Sequence, residues 1–135
     1  MNFKLNCQHK TYDGDPDLPL LTYLREHENI ISPKDGCAPQ AACGCCVVEL
    51  SGKAVLSCVI PMERVADGQV TTIEGLDEKT QEIFARAFLQ KGGVQCGFCI
   101  PGIVIQGKVL IDNNPTPTRQ DVQQALTPHL SLHRL

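Results

Sequence analysis

Asp35-Gly36-Cys37-Ala38-Pro39-Gln40-Ala41-Ala42-Cys43-Gly44-Cys45-Cys46-Val47-Val48, with Cys58 twelve residues after Cys46, is the stretch on which the reading of this 135-residue chain turns. Gly, Pro and four Cys within one short run are too irregular for a helix or a strand, so the segment reads as a loop built around something. The spacing Cys37-x5-Cys43-x2-Cys46, with Cys58 on the far side of a hairpin, follows the plant-type 2Fe-2S plan, with one extra residue in the first gap. In that plan three thiolates come from one loop and a fourth from a distant strand. Gly36 and Gly44 suit it, because backbone N–H groups must approach sulfur closely and glycine permits that. Spacing favours Cys46 over its neighbour Cys45 as the ligand, which leaves Cys45 as a small buried residue. The zinc alternative stays open, since Cys43-x2-Cys46 is also half of a ribbon. Its only partner pair, Cys96-x2-Cys99, lies some fifty residues further along, whereas ribbon pairs stand roughly 15 to 20 apart.

Composition narrows what eight cysteines are for. The N-terminal run Met1 to Lys10 has no apolar segment of signal-peptide type, and no run approaches the roughly 18 apolar residues that span a bilayer. The expected compartment is therefore the cytoplasm, where structural disulfides are rare and clustered thiols bind metal or do redox chemistry. With 12 Lys+Arg against 15 Asp+Glu, a net charge of −3 and no basic run, neither nucleic acid nor an anionic membrane is expected as a partner. Cys7, with no cysteine near it, reads as a free thiol.

Working outward, Phe3-Lys4-Leu5 and Lys10-Thr11-Tyr12 form an expected hairpin around Asn6 to His9. Pro19 opens a short helix with Leu20, Leu21 and Leu24 on one face. After the loop, Val47–Leu50 and Ala54–Cys58 read as strands joined at Ser51-Gly52-Lys53, and 69–73 as one more strand. Beyond Glu74-Gly75 the apolar period lengthens: Ile83, Phe84, Ala87 and Phe88 mark a helix over 78–90, closed by Gly92-Gly93. Ile103 to Ile111 form another helix, with Pro101 at its start. Thr118-Arg119-Gln120-Asp121 resembles a capping box opening a last one. The chain thus divides near residues 74–76 into a β-rich half and a helical half.

The helical half carries the second cysteine motif, Gln95-Cys96-Gly97-Phe98-Cys99-Ile100-Pro101-Gly102, ahead of a helix. Thiolates at a helix N-terminus gain from its free N–H groups and dipole, which serves a metal site or a redox dithiol. A thioredoxin-like dithiol would follow a strand in a βαβ unit, and here the motif lies between helices. A 2Fe-2S cluster needs two further ligands, and no cysteine follows Cys99.

Together these motifs resemble the small iron–sulfur subunit of the molybdenum hydroxylase or xanthine dehydrogenase family. Leu20-Leu21-Thr22-Tyr23-Leu24-Arg25, Lys34-Asp35-Gly36-Cys37, Cys43-Gly44-Cys45-Cys46-Val47-Val48, Ser57-Cys58, Gln95 to Gly102 and Asn114 to Thr118 carry the resemblance, which covers nearly the whole chain. It implies an α+β architecture: a β-grasp plant-type ferredoxin domain in 1–75, then an α-helical 2Fe-2S domain in 76–135. It implies that Cys96 and Cys99 are half of a second cluster site and that Gln95 faces the pterin cofactor. It also implies electron relay from a molybdopterin-binding large subunit to a flavin or other acceptor, with a FAD subunit as a further candidate partner.

The end of the sequence departs from this pattern. The family closes its second site with a segment resembling Asn-Leu-Cys-Arg-Cys-Thr-Gly-Tyr, whereas this chain reads His129-Leu130-Ser131-Leu132-His133-Arg134-Leu135. Loss of two nucleotides from codons for the family segment yields Leu-Ser-Leu-His-Arg-Leu. A frameshifted, truncated end that lost both cysteines is therefore expected, and with it an incomplete second site and an uncovered apolar face in the helical half. Ser131 and His133 as true ligands are the rival reading. His9, His27 and His129 carry no motif and are expected at the surface. No Ser/His/Asp set, phosphate loop or carboxylate pair stands out, so no independent catalysis is expected. The alternatives to an electron-transfer subunit are a zinc-binding or non-redox structural module, and a non-functional relay.

Overall fold

A computed structural model of the chain describes residues 1–129. Five strands form one sheet: β1 (Asn2–Leu5), β2 (Gln8–Thr11), β3 (Val47–Leu50), β4 (Lys53–Leu56) and β5 (Gln69–Thr71), in the order β2-β1-β5-β3-β4. The β1–β5 pair is parallel and the other three are antiparallel. Both hairpins are tighter than their sequences suggested. Asn6 and Cys7 (φ 49° and 68°) make a two-residue turn, as do Ser51 and Gly52 (φ 49° and 83°). Left-handed values at both central residues match the right-handed twist of the flanking strands.

Helix α1 (Leu20–Thr22) runs on into a wide π turn at Tyr23–His27. Leu20, Tyr23 and Leu24 lie under the sheet with Phe3, Leu5, Val48, Met62, Val65 and Val70, and this cluster is the main core. Glu28 accepts hydrogen bonds from Lys10 Nζ (2.6 Å) and the Tyr23 hydroxyl, pinning the end of the π turn to β2.

The helical half comprises α2 (Glu78–Gln90), α3 (Ile100–Asn113) and α4 (Arg119–Ala125). α2 starts and stops where the apolar period placed it. α4 opens on the expected capping box, with Asp121 N donating to the Thr118 hydroxyl and Thr118 N to the Asp121 carboxylate. α3 packs against β3 through Val47, Val104, Ile105 and Val109, with Leu76 from the connecting segment joining the cluster. Lys108 reinforces that contact, reaching Glu49 on β3 at 2.6 Å and Asp112 at 2.8 Å. By contrast α2 has no buried residue, and Ile83 and Leu89 are 57% and 72% exposed. An apolar groove of about 540 Å³ separates α2 from α3, floored by Phe84, Phe88, Ile100 and Val104. No helix among the described residues is long and apolar enough to cross a membrane.

Three expectations need correction. Cys58 sits on a 3-10 turn (Ser57–Val59) instead of a strand, because β4 ends at Leu56. β5 ends at Thr71, and Ile73 belongs to a 3-10 turn. His129, expected at the surface, is fully buried. Ser131, His133 and the frameshift reading of the tail lie outside the described residues.

Candidate metal centres

Residues 36–46 wind tightly because three of them take left-handed backbone values: Ala38 (55°), Ala41 (53°) and Gly44 (74°). Such turns aim successive N–H groups inward and make a concavity suited to anionic sulfur. Gln40 N donates to Cys37 Sγ at 3.3 Å and Cys45 N to Cys43 Sγ at 3.4 Å. The Cys37 thiol is accordingly drawn down to about 7, chiefly by the backbone N–H of Ala42 and then that of Gln40. Asp35 ties the start of the turn by accepting from Ala38 N at 2.9 Å.

On the other flank Ser57 is completely buried, and its hydroxyl donates to the Cys46 carbonyl at 2.7 Å. That clamp brings the 3-10 turn carrying Cys58 beside Cys46, where both pack with Leu21 and Leu56. Burial pushes the Cys46 thiol up to about 11, so without a cation it stays protonated at neutral pH. A bound metal inverts that preference by stabilising the thiolate.

Cys37 and Cys43 neighbour one another, as do Cys46 and Cys58. Two thiol pairs are the donor set of a binuclear centre, two per metal, whereas tetrahedral zinc needs four donors converging on one point. The pairs, the inward N–H groups and the Gly36 cradle, where a Cβ would lie 3.0 Å from Cys43 Sγ, fit a 2Fe-2S cluster. Cys45, buried and pushed up to about 12 by desolvation and the Cys43 charge, donates weakly to the Cys43 carbonyl at 3.7 Å, and its side chain also neighbours that of Cys43.

The second motif is arranged differently. Cys99 occupies the N-cap position of α3 and is half-buried; Cys96 and Gln95 are exposed, with Gly97 (φ 81°) turning the chain between the cysteines. Two donors do not make a four-thiolate site; the nearest further thiol is that of Cys45, which feels the charge of Cys99. His129 sits close by, wedged against Gly44 and Gly102. Sequence reasoning also missed Ser57 and Phe98. Adjacency to Cys58 was the available signal for the first; the second lay in plain view inside Cys96-Gly97-Phe98-Cys99.

Known proteins bear on both motifs. A family described as a 2Fe-2S binding domain matches residues 72–131. The nicotinate dehydrogenase small FeS subunit of Eubacterium barkeri is 33% identical over 131 residues, covering 96% of this chain and 83% of that protein. The aldehyde oxidoreductase of Megalodesulfovibrio gigas is 42% identical over 117 residues, covering 85% of this chain and 13% of that protein. The crystal structure of the aldehyde oxidoreductase from Desulfovibrio desulfuricans superposes with a TM-score of 0.85 at 35% identity, over 95% of this chain and 14% of that one. The chain is thus similar to nearly all of a small subunit and to a small part of two large enzymes.

Proposed function

The chain belongs to the iron–sulfur subunits of the molybdenum hydroxylase family, and from that premise we propose that Cys37, Cys43, Cys46 and Cys58 hold a 2Fe-2S cluster through which it serves as an electron-transfer subunit. The observation that supports this most is the grouping of four thiols in two pairs around a loop whose N–H groups point at sulfur. Such a cluster, when bound, accepts and donates single electrons at a potential set by hydrogen bonds to sulfur and by burial. The chain's own residues tune both. Gln40 N and Cys45 N stabilise negative charge on Cys37 and Cys43, while Ser57 holds Cys46 and Cys58 together away from water.

Cys96 and Cys99 are the half of a second site that this sequence supplies, with Gln95 toward the cofactor of the partner. The units would divide at residues 74–76, the first cluster in 1–75 and the second motif in 76–135. The partners are a molybdopterin-binding subunit, which donates electrons, and a flavin-bearing or other acceptor; the setting is the reducing cytoplasm. The substrate belongs to the molybdopterin partner.

Iron and acid-labile sulfide per chain after anaerobic expression, with an electron paramagnetic resonance spectrum of the reduced protein, test this. About two irons with one signal is the expected outcome; a colourless protein carrying zinc overturns it.

A further inference from the structure

We propose that the helical half walls off the first cysteine site from water through two side chains seated in glycine notches, Phe98 against Gly36 and His129 against Gly44 and Gly102, and so sets the potential of that site. This rests on the reading of Cys37, Cys43, Cys46 and Cys58 as the ligands of a 2Fe-2S cluster.

The first notch is at Gly36. A Cβ there would lie 3.0 Å from Cys43 Sγ and 3.0 Å from Phe98 Cε1, so the ring edge and the sulfur flank the same bare carbon. Phe98 comes from the second motif, yet it lies beside a ligand of the first. It remains 41% exposed, with part of its surface on the cysteine loop and the rest to solvent, which is how a cover is placed. The second notch is formed by two glycines. A Cβ on Gly44 would lie 2.7 Å from His129 Nδ1, and one on Gly102 would lie 3.3 Å from His129 Cε1 and 2.7 Å from the Gly44 carbonyl oxygen. Only residues without side chains let α3 and the imidazole approach the Cys43–Cys46 backbone this closely. His129 is fully enclosed, and among the described residues neither ring nitrogen has a partner. A polar ring buried without hydrogen bonds costs free energy, and what it accomplishes in place is to fill the space behind the loop.

The electrostatic consequence has a definite sign. Reduction adds negative charge to a four-thiolate cluster, and water stabilises the more highly charged form. Excluding water therefore lowers the midpoint potential, and opening either notch raises it.

The experiment is a potentiometric titration of the first cluster in the full chain, followed by its paramagnetic signal, with release of iron to a chelator as a second readout. Phe98→Ala and His129→Ala are expected to raise the midpoint potential and speed iron loss, whereas Phe98→Leu keeps both near the parent values. The proposal is overturned if Phe98→Ala leaves both unchanged, or if Phe98→Leu shifts the potential as far as alanine does. Should His129→Ala fail to fold, the half-exposed Phe98 decides alone. Parent protein without a 2Fe-2S signal refutes the assignment of the ligands instead, so the two failures are distinguishable.

Discussion

The two cysteine motifs of this chain differ in enclosure. Cys43, Cys46 and Cys58 are buried and Cys37 half-buried, with Ser57 tied to the Cys46 carbonyl, while Cys96 is exposed and Cys99 half-buried at the tip of α3. The helices around them differ in the same sense: α1 contributes fully buried Leu20 to the core, while α2 has no fully buried residue and half-buries Phe84 and Phe88. A loop that finds its fourth donor on the 3-10 turn following an adjoining hairpin can complete a site within one folding unit.

The sharpest way to break that contrast is to remove one thiol from each motif. Cys46→Ser is expected to abolish the first cluster, taking bound iron from about two per chain to near none, whereas Cys96→Ser leaves the first signal intact. Iron analysis and visible absorption read both, and loss of the first signal in Cys96→Ser would erase the distinction. Next in size, Leu24→Ala should cost about 2–5 kcal/mol in urea unfolding, while Ile83→Ala on open α2 stays within about 0.5 kcal/mol. Equal costs would mean that α2 is covered in solution. A smaller effect is expected from Thr118→Ala, which removes the cap of α4 and should cost about 1 kcal/mol, detectable as reduced amide protection in 119–125.

The smallest effect concerns pH, and it belongs to the closed half. Partial burial alone would raise the Glu28 carboxyl, but hydrogen bonds from Lys10 and Tyr23 bring it below the usual value. A lowered folded-state pKa contributes stability above the unfolded value and loses it as pH falls through the folded one. Stability of the parent should therefore decline below about pH 4.5 more than that of Glu28→Gln. Matching acid limbs in the two unfolding profiles would remove Glu28 from the account.

Local pattern made much of this legible. The period of Ile83, Phe84, Ala87 and Phe88 located α2, and the Thr118–Asp121 pair located α4. What escaped was tertiary. That Cys58 ends up on a 3-10 turn depends on the Ser57 hydroxyl finding a carbonyl eleven residues away in sequence. Nothing near His129 announces burial, because the notch that receives it is made by Gly44 and Gly102. Turn length was missed at Asn6-Cys7 because a cysteine in a left-handed conformation has no strong local signature.

Whether four thiols in two pairs hold a binuclear cluster is decided by iron and sulfide content with the reduced-state paramagnetic spectrum, measured on the parent and on Cys58→Ser. About two irons and two sulfides per chain with a single signal are expected in the parent, and the signal is absent in Cys58→Ser. A signal that survives Cys58→Ser, or zinc in place of iron, would contradict the binuclear assignment.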